Sequence, residues 1–131
     1  MKMQTPVFTI MPDFGGAYGW RKDNIDNAGV GGNHADAMGW CDDIGISLSL
    51  HEQFAVWQNE FENAACQGQD FAGFDWLDYH HRGIRLSHLL KAELGERAIV
   101  IYEKAFEDPC RRDAERRVIL GDGTVHILPT T

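Results

Sequence analysis

Apolar positions recur along this chain with two different periods, and the changes of period mark its elements. Leu50, Phe54, Trp57 and Phe61 fall at i, i+4, i+7 and i+11, the spacing that lines one face of an α-helix. Ser49, followed three residues later by Glu52, matches a capping box, so the pattern predicts a helix over about 50–65. His51, Gln58 and Glu62 fall away from its apolar face. Trp76, Tyr79, Gly83, Leu86, Leu90 and Leu94 form a second stripe, widened by Leu77 and Ile84, and predict a helix over 76–94. Asp75 suits its N-cap, and Gly95 suits the left-handed position just past its end. Asp78, His81, Arg85 and His88 fall on the opposite side. Gly83 costs a helix interior up to about 1 kcal/mol relative to Ala. Its place within the stripe implies that another element comes close there.

Elsewhere the pattern is strand-like. Val7–Met11 is a short apolar run ended by Pro12, and Ala98–Tyr102 is β-prone and long enough for a central strand. Residues 118–120 and 124–128, separated by Gly121-Asp122-Gly123, predict a hairpin with a tight turn. Residues 67–72 read as a turn, and 106–117 as a polar loop holding Pro109 and two arginine pairs. Strands, then two helices, then strands predict a single α+β domain over 1–131, with both helices on one face of a mainly antiparallel sheet. Residues 13–45 hold eight of the fourteen glycines and form a long glycine-rich acidic loop region, with short strands expected near 17–20 and 37–40. Loops of that length in a compact domain usually serve as binding surfaces.

Charge adds what periodicity does not. From Asp23 to His81 there are eleven Asp and Glu residues and no Lys or Arg. Residues 1–22 contribute +2 and residues 82–131 contribute +1, so this one stretch accounts for the whole net charge of −8. Like charge so concentrated opposes folding by self-repulsion, but it steers a basic partner and repels nucleic acid. Apolar runs fall far short of the roughly 20 residues a membrane helix needs. Pro6 and Pro12 bracket the first apolar run and no small-residue cleavage site follows, so no signal peptide is expected. Cys41, Cys66 and Cys110 are odd in number, widely spaced and in no CxxC pattern, which suits thiols in a reducing cytoplasm.

Candidate chemistry is sparse. His81 and His88, with Asp78 one turn earlier, share a helical face but lack the third and fourth ligands of a transition-metal site, so no metal is expected. His80, near the apolar stripe, reads as a core-edge histidine bonded to a neighbour. Asp42 and Asp43 are adjacent, so in extended backbone they point to opposite faces and do not converge on one substrate atom. The glycine pairs lack the Lys and hydroxyl of a P-loop, and neighbours such as Asp26 and Asp36 oppose a phosphate. Arg111-Arg112 and Arg116-Arg117, interrupted by Asp113 and Glu115, suit intramolecular roles rather than nucleic acid. No catalytic residue and no cofactor is assigned. The sequence instead points to binding, with Trp20, Asp23, Asp26, Asp36, Trp40, Asp42 and Asp43 as candidate contacts: aspartates for steering, tryptophans as anchors.

Two stretches carry a resemblance. Residues 47–57 (Ser-Leu-Ser-Leu-His-Glu-Gln-Phe-Ala-Val-Trp) and 74–95, running into Ile-Val-Ile-Tyr-Glu-Lys at 99–104, resemble small bacterial proteins of the polymorphic-toxin immunity type over roughly residues 47–108. The recurring positions, Leu50, Trp57, Trp76, Gly83, Leu86 and Leu90, make the fold and transfer no functional residue. The resemblance implies a cytoplasmic protein that neutralises a basic protein partner such as a toxin domain. An accessory module for another protein target is the alternative, and a small enzyme ranks behind both.

Overall fold

The computed structural model describes residues 7–12, 19–22, 33–35, 46–65, 71–105, 107–108 and 116–128; for 19–22, 33–35 and 128 it describes the backbone alone. These residues contain strands β1 (Val7–Ile10), β2 (Gly19–Lys22), β3 (Asn33–Ala35), β4 (Ile99–Tyr102), β5 (Arg116–Ile119) and β6 (Val125–Leu128). Two helices, α1 (Leu48–Ala65) and α2 (Trp76–Leu94), lie between β3 and β4. The strands form one sheet in the order β3-β2-β1-β4-β5-β6. Only β1 and β4 pair in parallel; the other four pairs are antiparallel. A parallel pair needs a long crossover, and both helices lie within it.

Register explains why the helices share a face. Phe8 sits opposite Val100, Ile10 opposite Tyr102, and Val100 opposite Ile119. These five residues join Leu50, Phe54, Trp57, Phe61, Tyr79, Leu86 and Leu90 in one buried cluster. Fully burying an apolar side chain of this size contributes about 1.5–3 kcal/mol. Val7, Thr9 and Ile101, which alternate with the cluster residues, are buried too. Hence β1 and β4 read as continuous apolar runs rather than alternating ones. The α+β architecture with both helices against one face of a mainly antiparallel sheet is the one the periodicity predicts.

The helices are joined through a reciprocal lock. The Trp57 ring stacks on Tyr79 with centroids 4.5 Å apart and planes 8° from parallel. Trp57 Nε1 donates to the Tyr79 carbonyl at 3.0 Å, and the Tyr79 hydroxyl donates to the Trp57 carbonyl at 3.0 Å. Burial raises the Tyr79 pKa far above its ordinary value, so the hydroxyl remains a donor. Gly83 is what lets this layer reach the sheet. A Cβ there would lie 2.5 Å from Trp57 Cζ2 and 2.6 Å from Tyr102 Cε1, closer than atoms can approach.

Several local expectations are corrected. Helix α1 starts at Leu48, and its cap is Ser47 rather than Ser49: Ser47 Oγ accepts from the Leu50 amide at 3.2 Å. Glu93 of α2 takes the part expected of a local glutamate, accepting from the Ser47 amide at 2.6 Å and from its hydroxyl at 2.7 Å. A tertiary contact therefore completes the cap. Asp75 and Gly95 end α2 as expected, with Asp75 accepting from the Asp78 amide and Gly95 at a φ of 59°. Leu77 does not widen the stripe but is 69% exposed, while Gln58, placed off the apolar face of α1, is buried. Arg116 and Arg117 belong to β5, not to the preceding loop. Strands occur at 19–22 and 33–35, and the expected strand near 37–40 lies outside the described residues, as do all three cysteines.

Candidate functional site

Most of the residues expected to bind a partner lie where the structure is silent. Asp23, Asp26, Asp36, Trp40, Asp42 and Asp43 fall outside the described residues. Trp20 lies in β2, opposite Thr9 of β1 and His34 of β3. What the fold does bring together are two other groups of side chains, one buried and one open.

The buried group centres on His80. This side chain sits on the sheet side of α2, where Trp76, one turn earlier, stacks on it with centroids 5.7 Å apart. Its Nδ1 lies 2.6 Å from the Tyr102 hydroxyl of β4, and its Nε2 lies 2.6 Å from Asp108 Oδ2 beyond β4. The hydroxyl donating to Nδ1 and Nε2–H donating to the carboxylate satisfy every group with a neutral ring. Electrostatics agree. Burial is the largest influence and lowers the His80 pKa, against the hydrogen bond and charge of Asp108, while Lys104 and Arg117 lower it further. Tyr102 is fully buried, and burial raises its pKa well above normal, which keeps the phenol a donor. The order Tyr–His–Asp resembles a proton relay, but it ends on a hydroxyl with no exposed surface. A general base must reach a substrate proton, and this one reaches only the core. The network ties α2, β4 and the segment at Asp108 together. Periodicity anticipated His80 as a core-edge histidine; Asp108, from a polar loop, carried no sequence signal.

The open group is a groove of about 420 Å³ between the outer surfaces of the helices. Glu52, Val56 and Glu60 form its α1 wall, Arg82 and Arg85 its α2 wall, and Trp57 and Leu86 lie at its base. Val56 is 63% exposed despite its apolar side chain. Arg82 spans the helices: it meets Glu60 through two bonds at 2.5 and 2.8 Å and Asp78 through a third at 2.9 Å. Its guanidinium also lies over the Tyr79 ring at 5.9 Å. The hydrogen bonding it donates to Glu60 is the main reason its pKa is raised above an already high value.

Protein-family models, curated proteins and solved structures yield no match to this chain. The chemistry of the two groups therefore stands on its own geometry. The groove combines an apolar base with charges of both signs, which suits recognition rather than bond making. Among the described residues no group of three or more His, Cys, Asp or Glu could hold a metal ion. His81 is exposed and His88 half-buried on the outer side of α2. No helix among the described residues is long and apolar enough to cross a membrane. The groove did leave a trace in the sequence. Glu52, Val56 and Glu60 are spaced i, i+4 and i+8, and Asp78, Arg82, Arg85 and Leu89 follow a matching outer stripe. That second face is hidden in a reading that looks only for the core.

Proposed function

We propose that this chain is a cytoplasmic protein-binding protein that neutralises a basic protein partner through its acidic segment, in the manner of an immunity protein against a toxin. One observation carries the reading: eleven acidic residues and no Lys or Arg between Asp23 and His81. Such a segment accelerates encounter with a basic surface, and its cost in self-repulsion is hard to understand without a partner that offsets it. The first cation after the segment, Arg82, is already engaged by Glu60 and Asp78, so it does little to neutralise the remainder. The resemblance of residues 47–108 to immunity-type proteins agrees with this reading.

Asp23, Asp26, Asp36, Asp42 and Asp43 supply steering and rim contacts in this proposal, with Trp20 or Trp40 as a buried anchor. The test is affinity capture from the native host, followed by binding kinetics on the recovered partner at two salt concentrations. Reversing the charge of Asp42 and Asp43 is expected to slow association and flatten its salt dependence. Truncating the anchoring tryptophan is expected to speed dissociation, at a cost of about 2 kcal/mol or more. Recovery of acidic partners only, or kinetics indifferent to Asp42 and Asp43, overturns the reading.

A further inference from the structure

The outer face of the two helices carries a charge pattern that suits neither a basic partner nor nucleic acid. Arg82 and Arg85 on the α2 wall oppose the first, and Glu52 and Glu60 on the α1 wall oppose the second. Between them lies apolar surface: Val56 stands between the two glutamates, and Leu89, 38% exposed, follows Arg85 by one turn. Among the described residues, the side chains of Glu52 and Arg85 have no hydrogen-bond or ion-pair partner. The hairpin is antiparallel, since Ser47 before α1 meets Glu93 near the end of α2, and Glu60 meets Arg82. Side chains facing one another across the groove therefore stand at one level along the helix axes.

We propose that this face is the interface of a symmetric homodimer, in which α1 of one copy lies on α2 of the other. The charge pattern selects the symmetry. A two-fold axis parallel to the helices exchanges the two helices across the interface and keeps each residue at its own level. The Glu52–Glu60 wall of each copy then covers the Arg82–Arg85 wall of its mate, with Val56 closing the centre and Leu89 the edge. An axis perpendicular to the helices would instead set α1 on α1 and α2 on α2, bringing like charges together at a cost of several kcal/mol. An isologous contact of this kind forms every pair twice. The size is sufficient. Helices of 18 and 19 residues are about 27 Å long and pack with axes roughly 8–10 Å apart. Their face covers on the order of 500 Å² per copy, so the pair reaches about 1,000 Å² in total, where specific interfaces begin. This inference stands independently of the basic-partner reading.

Analytical ultracentrifugation of the full chain, over a concentration series from low micromolar to near millimolar, tests the proposal. The wild type is expected to reach twice the monomer mass of 14.8 kDa. Glu52→Arg and Arg85→Glu, each alone, are expected to weaken dimerisation by about tenfold or more. The two together in one chain restore opposite charges at both contacts and are expected to recover the wild-type constant. Val56→Lys is expected to be monomeric, with an unchanged circular dichroism spectrum and, at concentrations low enough for the wild type to be monomeric too, the same melting temperature, showing that folding is intact. A wild type that stays monomeric, or a dimer indifferent to both single reversals, overturns the proposal. So does a double variant that remains as weak as the singles.

Discussion

At the scale of single residues, two positions in α2 set how tightly the helices seat on the sheet. Gly83 faces ring atoms of both Trp57 and Tyr102, which are buried and braced by their own contacts and have nowhere to move. A larger residue gains up to about 1 kcal/mol of helix propensity but overpacks the site. Gly83→Leu is therefore expected to destabilise the fold, with the overpacking alone costing about 1–3 kcal/mol, measurable by urea denaturation. Unchanged stability would show that the layer is not closed at Gly83. His80 makes stability depend on pH. Its folded pKa is lowered, chiefly by burial, so below the unfolded value of about 6.5 the unfolded chain binds the extra proton more readily. Its contribution is complete above that value and is lost as pH falls from there towards the folded pKa, with a slope of at most about 1.4 kcal/mol per pH unit. His80→Gln keeps a donor and an acceptor but does not titrate. Comparing wild type and His80→Gln from pH 7.5 to about 5 should show the extra acid sensitivity in the wild type alone.

Elements here are bounded partly by contacts from elsewhere in the chain. The start of α1 is the clearest case, because the Ser47 cap relies on Glu93 of α2 to accept from its amide and hydroxyl. Ser47→Ala is expected to cost about 1 kcal/mol, the usual value of a cap. Glu93→Ala should cost a similar amount, and the pair less than the two separately, with a coupling of about 0.5 kcal/mol or more. A double-mutant cycle in denaturant measures this, and strict additivity would show that Glu93 does not support the cap. Glu52, three residues after Ser49, resembles a capping glutamate in sequence, yet it lies exposed on the groove wall. Local spacing named the right chemistry and the wrong residues. Helix α2 was legible throughout its length because both ends are capped by neighbours in sequence, Asp75 and Gly95, and neither needs a distant partner.

For the whole molecule, the concentrated negative charge is the governing feature. Self-repulsion within residues 23–81 weakens as salt shortens the range of exposed charges to about 8 Å at physiological ionic strength. The melting temperature is therefore expected to rise when sodium chloride is added to a low-salt buffer, and Asp42→Lys with Asp43→Lys should reduce that rise. A melting temperature that falls with salt would mean that attractive ion pairs outweigh the repulsion. The outer groove gives the molecule a second, charge-balanced surface, so the two surfaces call for different partners.

Composition and periodicity alone determined the class of fold, the place of both helices and the extent of α2, the central strand β4 and the β5–β6 hairpin. Each rests on interactions between residues close in sequence, or on a repeating apolar face that only one secondary structure can bury. Glycine at 83 was legible for the same reason, as a gap within an otherwise bulky stripe. Tertiary structure decided the rest: which serine caps α1, the parallel seat of β1 beside β4, the exposure of Leu77, and the union of His80 with Tyr102 and Asp108. These depend on groups that meet only after the chain has folded, separated by 22 residues in one bond of the network and 28 in the other. The groove lies between these limits. Its two walls are written as helical stripes in the sequence, but only the antiparallel docking of α1 against α2 makes them face each other.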